Sequence, residues 1–595
     1  MRTGGLGWEA RLTAPVVGFP CWAPALPDRL FFVSDEGGTT QVWMSDPLLG
    51  RLPLTDQAVG VETFVPLPDG SGIAWWSDET GDEHGRWVVT TATDRGSRPL
   101  VDGLPPGWAQ GLSLAAGTVA AALADATTYR VLAAVGDGQP RTLYESTQPA
   151  GIGREWETTA GGLSTDGRLL CVRHSESGDI LHAGLRVVDV ATGSTVGDLA
   201  DPGLTLKVAS WSPVAGDQRL ALVHEREGIE RPAVWDLTTG ARHDLAVPLP
   251  GPVDVAGWWP DGAALLLVHR HEARDTLHRL DLGSGAVTLV LDPEGSVTGA
   301  AVRPDGTVWL REESATRAAR TRSATGEVVL VGPDAPAPGR PHEVLTVAGP
   351  AGPVEMLLVR PPGDAPHPVV LMVHGGPEWA YPDDLDAWEQ ALVDHGYAVA
   401  KVNYRGSTGR EVAWRTALHG GNIGFPEVAD VLAGLDHLVD AGIADPARIA
   451  LEGWSWGGYV AALAAGLHPE RFAAVIAGIP VCDLVLCHED CSPPQQAYDL
   501  AIMGGGPDNL PELYAERSPI TYVGRVRAPV LLIAGEHDSA CPIRQVRHYA
   551  EELRASGGDV TLHVYDAGHH ANTVEEKLLH ARLELAFLAR TLADR

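Results

Sequence analysis

Arg448-Ile-Ala-Leu-Glu-Gly-Trp-Ser-Trp-Gly-Gly-Tyr459 is the stretch whose reading decides the fold. Arg448–Glu452 reads as a short buried strand and Gly458 to Gly466 as a helix. Between them lies Gly453-Trp-Ser455-Trp-Gly457, a G-x-S-x-G sequence. A chain with 69 glycines supplies such strings by chance, so the context carries the argument. Strand, sharp turn and helix in that order make a nucleophile elbow. The glycines are needed because the turn is strained and a Cβ there would meet neighbouring backbone. Such a turn lifts the Ser455 hydroxyl clear of the sheet, where a base can reach it.

Outward from the elbow, strands and helices alternate. Val369–Val373 is a continuous apolar run, as a buried parallel strand should be. Leu385 to His395 reads as a helix, Tyr397 to Val402 as a strand and Pro426 to Ala441 as a helix. Ala473–Ile476, Val530–Ile533 and Val560–Val564 add strands, and a last helix covers Val574 to Leu592. The pattern predicts a doubly wound α/β sheet, an α/β-hydrolase domain over residues 336–595.

A serine nucleophile needs a base, and the base needs an orienter; in this fold they follow in the order Ser, Asp or Glu, His. The strand Val530–Ile533 runs into Ala-Gly-Glu-His-Asp538, which offers Asp538, with Glu536 as competitor. The next strand runs into Tyr565-Asp-Ala-Gly-His569-His570, which offers two adjacent bases. Both loops fall at the carboxyl ends of strands, where sites in open α/β sheets collect. The oxyanion of an acyl-transfer intermediate needs two N–H donors. One is expected from the backbone of Trp456, the other from the loop His374-Gly375-Gly376-Pro377.

Residues 20 to about 330 read differently. Short β-type runs such as Arg29–Val33, Gly72–Trp76 and Ala264–Val268 alternate with Gly, Asp and Pro. A Pro-Asp-Gly or related turn recurs at Pro27-Asp28, Pro68–Gly70, Thr165–Gly167, Pro260–Gly262 and Pro304–Gly306, with weaker versions near Leu114 and Ser212-Pro213. Hairpins close at Thr192-Gly193, Thr239-Gly240 and Ser284-Gly285. A repeat of roughly 44–50 residues is the period of a four-stranded propeller blade. The expectation is an all-β propeller, seven-bladed by count of starts, over residues 1–335 with a short extension at 1–20. The Pro-rich joint Gly332–Pro341 follows it.

Composition excludes several classes. Of 595 residues, 77 are acidic and 44 basic, a net charge of −33. Such a field repels nucleic acid and anionic membranes. No apolar run is long enough to span a bilayer, and the start of the chain lacks the apolar core of a signal peptide. Six cysteines are too few for a disulfide framework. Cys482, Cys487 and Cys491 cluster without a common zinc spacing, so no metal is expected, a metal site on the cysteine–histidine cluster of Cys487, His488 and Cys491 being the alternative; the chain reads as cytoplasmic.

The set His374–Pro377, Asn403-Tyr-Arg-Gly-Ser407, Gly453–Tyr459, Gly535–Asp538 and Gly568-His569, preceded by a β-propeller, resembles the prolyl oligopeptidase family of serine peptidases, above all its acylaminoacyl-peptidase branch. The resemblance implies a peptidase that cuts short peptides, with Ser455, Asp538 and His569 as triad and Gly376 and Trp456 as oxyanion donors. It selects His569 because the catalytic His there directly follows Gly. It also implies a pocket along Val481 to Asp499, with Val481, Gln495, Tyr498 and Asp499 as substrate-binding residues, more polar than is usual in the family. No cofactor is implied. The expected partner is a short peptide, with no nucleic acid and no membrane, and association of copies of the chain is left open. The alternatives are an esterase or amidase acting on a small specialised metabolite, and a non-catalytic propeller that only binds.

Overall fold

The structure, a computed structural model, describes residues 7–153, 161–176 and 178–593; the first six residues of the expected N-terminal extension lie outside them. Between Cys21 and Leu330 the strands form five four-stranded antiparallel sheets and one eight-stranded sheet. The eight-stranded sheet is two four-stranded meanders, Phe64–Pro99 and Gly107–Ser146, joined only by the pairing of His84 and Gly85 with Trp108 and Gly107. Seven consecutive meanders result among the described residues. Most of the recurring turns of the sequence fall between the first and second strands of a meander, Pro68–Gly70 between Phe64–Pro66 and Gly72–Ser77 and Pro260–Gly262 between Val253–Trp258 and Ala264–His271, whereas Pro27-Asp28 lies within the second strand of the first, Leu26–Ser34.

Each meander packs a face on the next. Phe31 and Met44 of the first meet Ile73 and Trp75 of the second, and Leu220 and Trp235 of the fifth meet Leu169 and Leu185 of the fourth. A tryptophan repeats the same device between neighbours. Trp211 Nε1 donates to the Gly162 carbonyl at 2.9 Å, and Trp258 Nε1 to the Ser210 carbonyl at 2.9 Å. The ring is buried while its one polar atom is satisfied, which is the condition for burying tryptophan without penalty. The last meander returns to the first: Val17 and Phe32 pack with Leu330, and the Arg303 guanidinium lies between the Trp22 and Trp309 rings while donating to the Pro27 carbonyl at 2.8 Å.

From Glu343 the chain builds one eight-stranded sheet. Its strands are β1 (Glu343–Gly349), β2 (Gly352–Val359), β3 (His367–Val373), β4 (Ala398–Asn403), β5 (Ala444–Trp454), β6 (Ala474–Gly478), β7 (Val530–Gly535) and β8 (Val560–Tyr565), in the order β1-β2-β4-β3-β5-β6-β7-β8. All neighbours from β4 to β8 are parallel. Helices cover both faces: α1 (Ala387–Asp394), α2 (Phe425–Asp440), α3 (Trp456–Leu467), α4 (Leu484–Asp490), α5 (Pro493–Met503), α6 (Ile543–Ala555) and α7 (Val574–Thr591). Two apolar cores result, one with α2, α3 and α6 and one with α1 and α7. Burial on both faces explains why β3 and β7 are apolar without alternation.

Two differences from the sequence reading have physical causes. Helix α3 begins at Trp456, two residues before the expected Gly458, because a single residue, Ser455 at φ +56°, makes the turn. The glycines on either side of it are there for close approach: a Cβ on Gly457 would lie 2.0 Å from the Val373 carbonyl oxygen and one on Gly453 2.3 Å from that of Gly457. Secondly, Glu9–Leu12 forms a short helix that packs on the α/β domain. Trp8 joins the core around α1 and α7, Arg11 pairs with Asp394 at 2.8 Å, and Glu9 with Arg582 at 2.9 Å.

Candidate active site

The elbow, the β7 loop and the β8 loop bring three of the expected residues into one hydrogen-bonded line. His569 Nε2 is 3.1 Å from Ser455 Oγ, and His569 Nδ1 is 2.8 Å from Asp538 Oδ2. The other Asp538 oxygen accepts from the backbone N–H of Ala540 at 2.8 Å and Cys541 at 2.7 Å. Burial works against charge on Asp538, but His569 and these N–H groups hold its carboxyl below the ordinary range. Burial likewise opposes charge on His569; the Asp538 carboxylate, with help from Glu83, outweighs it and raises the imidazole above its ordinary value. This is the arrangement in which the ring can take the Ser455 proton and be stabilised as imidazolium.

The competitors are placed elsewhere. Glu536 pairs with Arg547 at 2.5 Å. His570 is exposed and stands edge-on to His569; desolvation by surrounding atoms together with that neighbour lowers it from the ordinary histidine value.

Gly375 and Gly376 lie beside the elbow: a Cβ on Gly375 would sit 3.4 Å from Ser455 Cβ and 3.9 Å from the Trp456 nitrogen. Gly376 is at φ +120°. Trp456 is the first residue of α3, so its N–H has no acceptor within the helix and is free for a ligand oxygen. The segment Asn403–Ser407 braces this loop. The Tyr404 ring stacks on His374 at 4.2 Å, its hydroxyl donates to the His374 carbonyl at 2.9 Å, and Ser407 Oγ is 2.7 Å from His374 Nε2. His374 Nδ1 donates to the Gly375 carbonyl at 2.7 Å. Burial pushes His374 down to about 4, so it is neutral, and its Nε2 accepts the Ser407 proton.

The expected pocket residues are placed less uniformly. Val481 is part of the core beneath α4. On α5, Tyr498 is half-buried against that core, and Gln495 Nε2 donates to Asp499 Oδ1 at 2.9 Å.

Sequence reasoning missed one residue of this site altogether. Glu83, in the second meander at φ +63°, reaches across to Ser539 Oγ at 3.0 Å. Its neighbour Gly81 touches the β8 loop so closely that a Cβ on Gly568 would meet the Gly81 carbonyl oxygen at 1.7 Å. Enclosure raises the Glu83 carboxyl despite His569. Thr40 N donates to the Asn572 carbonyl at 2.9 Å and Val574 N to the Gly38 carbonyl at 2.8 Å. The carboxyl edge of the sheet therefore faces the N-terminal meanders. Nothing local in Ser77–His84 marks a partner almost five hundred residues away.

Since the base must be neutral to accept a proton, kcat/KM of any hydrolysis should rise with pH through a value above the ordinary 6.5 of histidine. The stability that His569 contributes runs the other way: complete below 6.5, it is lost as pH rises through the folded-state value. His570→Ala should leave the profile in place and weaken turnover only modestly, whereas His569→Ala should abolish it. A pH–rate series on both variants checks this, and the reverse ranking reassigns the base.

Residues 384–595 match the prolyl oligopeptidase family. Acylamino-acid-releasing enzyme 2 of Oryza sativa subsp. japonica is 30% identical over 227 residues, 37% of this chain and 29% of that protein, so the chain matches less than a third of this relative's length. The crystal structure of puromycin hydrolase superposes with TM-score 0.80 at 22% identity, covering 98% of this chain and 96% of that one. A prolyl endopeptidase gives TM-score 0.84 at 18% identity, over 99% and 92%. Two-domain architecture is shared with both.

Proposed function

From a C-terminal domain that belongs to the prolyl oligopeptidase family, we propose that the chain is a serine peptidase that hydrolyses short peptides through an acyl-enzyme. Ser455 attacks the carbonyl carbon, and His569 takes the hydroxyl proton and returns it to the leaving amine. Asp538 holds the imidazole tautomer, while the N–H groups of Gly376 and Trp456 receive the oxyanion. Water then repeats the sequence on the ester. The observation that carries the reading is the Ser455–His569–Asp538 line, with 3.1 and 2.8 Å separations, at a sheet edge that faces a second domain.

The seven meanders are read as the blades of a closed propeller, with the contacts of Arg303 and Leu330 on the first blade as its seam and the boundary between the domains at 335/336. Substrates reach Ser455 through the space between propeller and sheet. Val481, Gln495, Tyr498 and Asp499 are assigned to the wall that receives the residue before the cleaved bond. Among the described residues no helix is long and apolar enough to cross a membrane; with six free thiols, a cytoplasmic location is the reading the chemistry favours.

A test sets the same cleavable sequence in a free decapeptide and in an exposed loop of a folded protein. The decapeptide should be cut and the folded protein resist; equal cleavage removes the gate but leaves the triad. Aminoacyl anilides against p-nitrophenyl esters complete the assay: turnover of esters alone would make the chain an esterase.

A further inference from the structure

Three side chains outside the catalytic line converge where α4 ends and α5 begins. His488 and Cys491 stand one turn apart at the end of α4, and Asp499 comes from the middle of α5. Asp499 Oδ2 is 3.4 Å from His488 Nδ1 and 3.6 Å from Cys491 Sγ, and the three ligand atoms lie within 4.8 Å of one another. A tetrahedral zinc ion with bonds of about 2.0–2.1 Å to nitrogen and oxygen and 2.3 Å to sulfur separates its O and N ligands by about 3.4 Å and its O and S ligands by about 3.5 Å. The two edges match.

The surroundings match as well. Among the described residues no lysine or arginine pairs with Asp499; the one basic side chain beside it is His488. Its second oxygen accepts from Gln495 Nε2 at 2.9 Å, an outer hydrogen bond of the kind that orients a ligating carboxylate. Cys491 is buried, while His488 borders a surface groove of about 520 Å³, which gives an ion a path inward. The cysteines read as a set show no zinc spacing because Cys482 and Cys487 lie outside this cluster, whose third member is a carboxylate eight residues beyond Cys491.

We propose that His488, Cys491 and Asp499 form a binding site for a zinc-class divalent cation, separate from the triad and pinning α4 to α5. On binding, the Cys491 thiol gives its proton to solvent. The thiolate and carboxylate then balance the two charges of the ion, neutral His488 donates a lone pair, and a water molecule completes the tetrahedron.

Two rival constellations also bring their ligand atoms within 4.8 Å: Asp538, Cys541 and His569, and the thiol-free set His563, Glu576 and His580, which can give no thiolate band. Full-length protein dialysed against a chelator is titrated with Co²⁺ and then Zn²⁺, with absorbance and calorimetry as readouts. The expected result is one ion per chain, a thiolate-to-cobalt charge-transfer band that survives in Cys541→Ser and vanishes in Cys491→Ser, and displacement of cobalt by zinc. Gln495→Leu should weaken zinc binding about 10–100-fold, and the near-isosteric Asp499→Asn at least as much, with unchanged circular dichroism. No band in the native protein overturns the proposal. So does a band that persists in Cys491→Ser, or one lost in Cys541→Ser alone, which would put the ion on the triad. If Cys491→Ser fails to fold, the asparagine variant decides: unchanged zinc affinity there overturns the site.

Discussion

Ser455→Ala should lower turnover by a factor on the order of 10⁶ and leave the fold intact. The oxygen removed is the atom 3.1 Å from His569 Nε2, so the imidazole has nothing to activate, while the oxyanion donors keep their places. What remains is the catalysis supplied by oxyanion donors and binding, about 10³–10⁴ over water in triad enzymes. Stability should hardly change, because alanine at φ +56° bears the same backbone strain as serine and the helix behind it is untouched. Steady-state assays with an anilide substrate and labelling by a fluorophosphonate measure both effects. More than a few per cent of native turnover would place the nucleophile elsewhere.

Asp538→Asn should cost about 10⁴ in kcat with little change in KM. The loss follows from two short hydrogen bonds. The N–H groups of Ala540 and Cys541 both donate to Oδ1, so an asparagine there must turn its carbonyl oxygen to them and its NH₂ to His569. Nδ1 then accepts instead of donating, the ring proton moves to Nε2, and Nε2 presents a proton to Ser455 where a lone pair is needed. Glu536→Gln is the control: its carboxylate faces Arg547, and turnover should stay near the native value. A loss below tenfold in Asp538→Asn would deny it the orienting role.

The elbow, both loops of the triad and the His374 loop could be read in the sequence because each is local: a strand, a short turn and a residue type at its end. Strand–helix alternation was visible for the same reason, since strands buried on both faces are runs of apolar residues. The seven meanders could be read from their turns, most of which fall between the first and second strands. Contacts across the chain could not. Glu83 approaches His569 through tertiary packing alone, and its sequence surroundings, acidic and polar, are those of any solvated hairpin. Asp499 was singled out as a pocket residue, but its partners depend on the angle between α4 and α5, which no spacing reports. His374 reads as part of a donor loop, whereas its ring serves to hold that loop against Tyr404 and Ser407.

The helix at Glu9–Leu12, docked beside α1 and α7, makes the α/β domain discontinuous in sequence, with the meanders inserted into it. During synthesis its first segment leaves the ribosome before any of its sheet exists, and must wait through more than three hundred residues, the seven meanders among them, for β1 to appear. The inserted domain can therefore finish folding first, and closing the second core draws both of its ends to one body. Two covalent connections then run side by side between the domains. A single proteolytic cut in the Pro-rich joint would leave the halves tethered, and any opening must be a swing about two strands of chain instead of free rotation about one.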